Sequence, residues 1–251
     1  MVATRRRRKT KRRTQRGGSQ EVPPAPRCQC NENCKRPVNR GETFCQYHAT
    51  HGCPIKSPMT GAETPYDPDK FNKDQAVRHS HNCHAYAMDF IDPAKVRKCR
   101  EQNVCQFPQP GFMAGHNSFK SQEGKSCSDV LARTMSDIPR AYATNFIQPC
   151  EPGFGKIAVV VDEKNDFHYY RQDKNGWWSH KPGARHVTNK DATGARIWRP
   201  DLASRYYPKE SPNDSGLNYA SFCSYMCVPR DNSIKIGGAV RGRGRTHKTK
   251  K

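Results

Sequence analysis

The stretch "KIAVVVDEKNDFHYYRQDKNGWWSHKPG", residues 156–183, decides the fold class. Residues 156–162 are a β-branched run that reads as a strand, and the short polar link "EKN" returns the chain into "DFHYYRQD" (166–173). The "KNG" that follows turns it again into "WWSHKPG" (177–183), so a meander of three antiparallel strands with tight turns is expected. Side chains alternate along a strand. His168 and Tyr170 therefore share one face, and Phe167, Tyr169 and Arg171 take the other.

Beyond the meander, "HVTNKDATGARIW" suggests another hairpin, and "LNYASFCSYMCVP" (217–229) a last strand or short helix. Upstream, "HSHNCHAYAMDF" (79–90) reads as a helix. It opens at Asn82, a good N-cap, and must end by Asp92-Pro93 because proline cannot continue it. Cys83, Ala87, Phe90 and Ile91 fall on one side of that helix, which should pack on the sheet. Residues 94–155 are punctuated by Pro, Gly and Cys and hold one helical candidate, "CSDVLARTMSD". The resulting fold class is α+β, a helix packed on an antiparallel sheet.

A cysteine-rich segment precedes this core: "CQCNENCKRPVNRGETFCQYH", residues 28–48. Cys30 and Cys34, then Cys45 and His48, give two ligand pairs separated by a loop of turn residues, which suits tetrahedral zinc. Cys28 competes with Cys30 for the first position, and Cys53 can replace either. A zinc ion held by four protein ligands has no open position, so its role would be structural. The chain carries twelve cysteines and no apolar stretch after its first basic run that could act as a secretory signal. Reduced thiols, some on metal, are the expectation, with disulfides the alternative.

Charge is concentrated at the ends. Residues 1–20 carry nine Lys/Arg and no acid, and residues 230–251 carry eight against Asp231, so the ends hold +16 of the net +21. Such blocks cannot bury enough apolar surface to order alone and are expected to order on a polyanion. Arg5, Arg6, Arg7 and Arg8, with Arg241, Arg243 and Arg245 in a Gly-Arg alternation, point to non-specific, salt-dependent binding of nucleic acid. No apolar run is long enough to span a membrane. The expected organisation is a basic arm and linker at 1–26, a Cys/His-rich zinc-binding unit at 27–54, an α+β domain at 55–230 and a basic Gly/Arg tail at 231–251.

One arrangement suggests catalysis. A cysteine opening a helix, with a histidine on an adjacent strand, is the layout of a thiol nucleophile and its base. Cys83 would attack, His168 would take its proton, and His180, or Asp173 nearer the turn, would orient the imidazole. The alternative is a core cysteine and a satisfied sheet histidine.

The segments "NCHAYAMDFIDP", "HYYRQDKNGWWSHKPGARHVTNKDATG" and "NYASFCSYMCVPR" together resemble a largely uncharacterised family of large nucleocytoplasmic DNA viruses, chlorovirus- or mimivirus-like, across about residues 75–230. The resemblance implies a papain-like or NlpC-like thiol-hydrolase core and maps the hydrolase positions onto Cys83, His168 and His180. His84 departs from the small or aromatic residues common in such motifs. The resemblance also implies a viral origin, and with the division of charge between a nearly neutral body and cationic ends the expectation is a virion structural protein, minor capsid or core-associated, found in the virion and in host cytoplasm or nucleus during assembly. Its partners would be other capsid proteins and packaged DNA. A cysteine peptidase or amidase is the alternative function.

Overall fold

The computed structural model of the chain describes residues 24–119, 125–209, 216–231 and 234. The basic residues Arg5 to Arg8 and Arg241, Arg243 and Arg245 lie outside the described residues. In chain order the elements are α1 (Gln46–His51), α2 (Asp69–Asn72), α3 (Gln75–Ser80), α4 (Cys83–Ala87), α5 (Pro93–Gln102), α6 (Cys127–Asp137), β1 (Tyr142–Thr144), β2 (Phe154–Asp162), β3 (Asp166–Gln172), β4 (Trp178–His180) and β5 (Ser221–Pro229). The strands form one antiparallel sheet in the order β1-β5-β2-β3-β4, so the protein is α+β.

The expected meander is β2-β3-β4, paired from Ile157↔Arg171 to Asp162↔Asp166 and from Tyr170↔His180 to Gln172↔Trp178. Its first turn closes through Asn165 N–H to the Asp162 carbonyl at 2.9 Å. Its second uses Gly176, whose φ of 82° suits a residue without Cβ. Residues 217–229 resolve to a strand, β5, which pairs with β2 along its length and carries β1 on its other side. The second hairpin takes the form of isolated bridges, His180↔Thr188, Lys190↔Arg196 and Trp178↔Ile197, which cover the free edge of β4.

β2 is buried on both faces, which is why its sequence runs apolar without alternation. Ile157, Val159 and Val161 meet Ala85, Ala87, Val130, Phe167 and Tyr169 in one layer, under α4 and α6. Ala158 and Val160 meet Tyr170, Trp178, Ile197 and Tyr225 in the other.

α4 opens as expected, with the Asn82 side chain accepting from Ala85 N–H at 3.3 Å. It stops after Ala87, short of Asp92. Asp89 leaves the helix with a φ of 57° while its carboxylate accepts from Arg171 Nη1 at 3.0 Å. Pro93 then opens a new helix, α5, behind an Asp92 N-cap, because proline in a first turn gives up an N–H that has no helical partner. The "CSDVLARTMSD" candidate is α6, capped by Ser126. The segment 94–155 is therefore less irregular than its punctuation suggests.

Arg171 locks α4 to the sheet. Its five N–H groups reach Asp173 Oδ1, the Tyr86 carbonyl, Asp89 Oδ1, the Pro65 carbonyl and the Tyr86 hydroxyl, all between 3.0 and 3.2 Å. Arg230, counted above with the basic tail, belongs to the body instead, donating to the Ala87 carbonyl at 2.8 Å.

Eight of the twelve cysteines are paired, as Cys30–Cys53, Cys99–Cys105, Cys127–Cys223 and Cys150–Cys227. The expectation of mainly reduced thiols is corrected by these pairings. The last two close loops of 96 and 77 residues, each contributing about 4–5 kcal/mol by restricting the unfolded chain.

Candidate functional site

Two sites emerge from these elements. The first is built on the segment 28–48. Cys45 sits at the N-cap of α1 and His48 one turn on, so both side chains reach the same side. An Asn31 turn, in which Asn33 N–H donates to Asn31 Oδ1 at 2.9 Å and Cys34 N–H to the Asn31 carbonyl at 3.0 Å, brings Cys34 back to meet them. Cys28 completes a group whose four ligand atoms lie within 4.8 Å of one another and could hold a metal ion.

Cys30, expected as a ligand, is joined to Cys53, and Cys28 stands in its place. The intervening residue explains the exchange. Gln29 is drawn towards the body, its Oε1 accepting from Trp198 N–H at 2.7 Å and Arg199 N–H at 3.2 Å while its Nε2 donates to Asp191 Oδ2 at 3.3 Å. The two flanking cysteines are thereby sent to different partners. Cys34, Cys45 and His48 fall where the sequence places them.

The second site concerns Cys83, His168 and His180. α4 lies on the face of β3 that carries Phe167, Tyr169 and Arg171, and Tyr86 Oη meets Ser179 Oγ at 2.7 Å. His168 and His180 occupy the other face, beside Tyr170 and Tyr219. Cys83 Sγ rests 3.9 Å from the Phe167 carbonyl oxygen, and among the described residues no hydrogen bond joins it to His168. Burial pushes the Cys83 thiol up to about 12. The structure thus does not bring the expected nucleophile to its expected base. Asp173, the other candidate for orienting His168, pairs with Arg171 at 3.0 Å. His84, next to the thiol, is fully buried with neither ring nitrogen hydrogen-bonded among the described residues, its ring 5.0 Å from that of Tyr169, and burial pulls its pKa down to about 3.

Insoluble matrix shell protein 1 of Ruditapes philippinarum is 30% identical over 142 residues, which span 57% of this chain and 82% of that protein. The chain belongs to its family. A match of that length exceeds everything before residue 55 and must include much of the α+β domain. No family model matches the chain, and no solved structure matches it.

The two histidines do form a unit with each other. His180 Nε2 lies 2.9 Å from the Lys190 carbonyl oxygen, which only accepts, so this nitrogen carries a proton. With burial holding the ring neutral, His180 Nδ1 is left as an acceptor, 2.7 Å from His168 Nε2, which must then be the donor. His168, also kept neutral by burial, retains a lone pair on Nδ1. Both rings line a cavity of about 340 Å³ whose walls include Asp166, Tyr207, Leu217 and Tyr219. Sequence reasoning finds the two histidines but misses these walls, because "RYYP" and "GLNY" carry no spacing that marks them as neighbours.

Proposed function

We propose that the protein is a structural component of a protein assembly, a cross-linked body whose basic end segments bind an anionic partner. The observation that carries this reading is the position of Cys83, sealed in the core on the far side of β3 from His168. A thiol hydrolase needs that pair in contact; a scaffold does not. An α+β body of papain-like or NlpC-like descent can be kept as a scaffold after its chemistry is lost.

The relative is named for an insoluble shell matrix, and the resemblance described above points to a virion, where the chain would serve as a minor capsid or core-associated protein beside other capsid proteins. Both settings use protein as building material. Disulfides persist in oxidising surroundings such as the surface of a finished particle.

Zinc is the ion that suits the Cys28, Cys34, Cys45 and His48 group. Tetrahedral zinc with sulfur at about 2.3 Å and nitrogen at about 2.0 Å sets sulfur pairs about 3.8 Å apart and sulfur–nitrogen pairs about 3.5 Å apart. Cys34 and Cys45 Sγ are 3.8 Å apart, and His48 Nδ1 lies 3.2, 3.8 and 3.4 Å from Cys28, Cys34 and Cys45. With every position filled by protein, zinc here would brace the unit and present no site for substrate.

The test is sedimentation of the purified full chain with linear duplex DNA at low and high salt. Large complexes that form at low salt, dissolve at high salt and form equally with Cys83→Ala are expected. A chain that stays monomeric throughout, or that cleaves amide substrates only while Cys83 is present, overturns the reading.

A further inference from the structure

The His168 cavity opens into a groove that shares His180, Pro182, Ala184, Arg185 and Tyr207 with it. The groove carries Arg78, His186 and Lys190, none of which pairs with a carboxylate among the described residues; Arg78 Nη1 meets His186 Nε2 at 2.7 Å instead. One acid, Asp191, faces the same groove, but its oxygens are taken. Oδ1 accepts from Thr193 N–H, Thr193 Oγ and Ala195 N–H, and Oδ2 from Gln29 and Ser204 N–H. Among the described residues, Arg78 and Lys190 thus give the rim positive charge that no carboxylate pairs with.

The inner chamber asks for something different. His168 lines it, and with Nε2 donating to His180 in the relay to the Lys190 carbonyl, Nδ1 is the ring's remaining acceptor. The Asp166 carboxylate beside it accepts from Tyr219 Oη at 2.8 Å. The walls are aromatic, with Tyr207 and Tyr219 at 83° to each other and their centroids 6.3 Å apart. A flat ring bearing an N–H would stack on one wall and donate to His168. The ligand that joins such a ring to a repeating anion is a nucleic-acid strand with unpaired bases, and every base has an N–H on its pairing edge.

Resting on the polyanion-binding reading above, we propose that this cleft binds single-stranded nucleic acid. Phosphates lie along Arg78 and Lys190, and one base enters the chamber to donate to His168 Nδ1. Sequence preference should be slight, since stacking and a single donor do not distinguish bases well.

The full chain is titrated with a dye-labelled oligothymidine and with the same backbone lacking bases, across a range of salt. The intact oligonucleotide is expected to bind about tenfold more tightly than the baseless one, and Arg78→Ala/Lys190→Ala to lower the salt slope by between one and two. Both substituted side chains lie on the groove's rim, so the variant should fold, which circular dichroism checks. Photo-cross-linking of a 4-thiothymidine oligonucleotide should reach Tyr207 or Tyr219. Equal affinity for the two backbones, an unchanged slope in the double variant, or cross-links confined to residues 1–20 and 230–251 would each overturn the cleft while leaving binding by the ends intact. Absence of binding by the unaltered chain would remove both.

Discussion

Cys83 and His168 lie on opposite faces of β3: the thiol rests against the Phe167 carbonyl on the α4 side, while the His168 imidazole, carried by β3 itself, bonds His180 on the other. One strand of backbone separates two groups that a hydrolase would hold in contact. The following outcomes depend on this and on three other relationships in the fold.

With limiting iodoacetamide between pH 5 and 9, Cys83 should remain unmodified in the folded chain and react only after denaturation, because its thiol is buried and pushed up to about 12. Peptide mapping by mass spectrometry reads this directly. Selective labelling of Cys83 near neutral pH would mean an activated thiolate and restore the hydrolase.

Native mass spectrometry should find one zinc per chain. Cys28→Ser should lose it, whereas Cys30→Ser should retain it, since Cys30 is committed to Cys53. The opposite pattern would exchange the two assignments.

The fold should weaken steeply in mild acid. Burial lowers the pKa of His81 and His180 to about 4 and of His84 to about 3, and it drives His168 well below its usual value. His81 Nε2 also accepts the Asp92 N–H at 2.9 Å, a bond that protonation would destroy. Above the unfolded value of about 6.5 neither state binds these protons, and stability is complete. As pH falls below it, the unfolded chain takes up protons that the folded chain refuses. Four such groups cost about 5 kcal/mol between pH 7 and 5.5. Asp166 and Asp173, whose carboxyls burial pushes up, oppose the trend at lower pH. Urea midpoints across that window measure it, and a flat profile would show that the histidines are not held neutral.

Arg171→Met should destabilise by about 3–5 kcal/mol, since it strands the buried Asp173 carboxylate and two carbonyls around a buried gap, while Asp89 keeps Lys70 at 2.8 Å. Urea unfolding at neutral pH gives the value. A loss under about 1 kcal/mol would mean that water replaces the guanidinium.

The sheet was the most legible part of the chain, because the run at 156–162 and its two turns leave little choice of period or register. The Asn82 cap was legible too. What escaped depended on distant partners. Arg171 on Asp89 and Arg230 on the Ala87 carbonyl, both remote in sequence, hold the chain where α4 stops. Only the Gln29 bonds to Trp198 and Arg199 separate Cys28 from Cys30, which spacing alone treats as equals. Alternation already set His168 and Phe167 on opposite faces. Which face α4 covers is not written in the alternation; it is decided by Tyr86 meeting Ser179 and Arg171.

β5 is the last of the described strands to be synthesised, yet it lies between β1 and β2. A nascent chain that ends before residue 221 has no neighbour for β1, an open edge on β2, and no partners for Cys127 or Cys150. The body cannot mature piecemeal as it leaves the ribosome. An oxidant that acts during translation meets Cys127 and Cys150 before Cys223 and Cys227 exist and traps mispaired chains. Production in quantity therefore depends on timing, with thiols kept reduced until the C-terminal strand is in place and oxidation supplied afterwards.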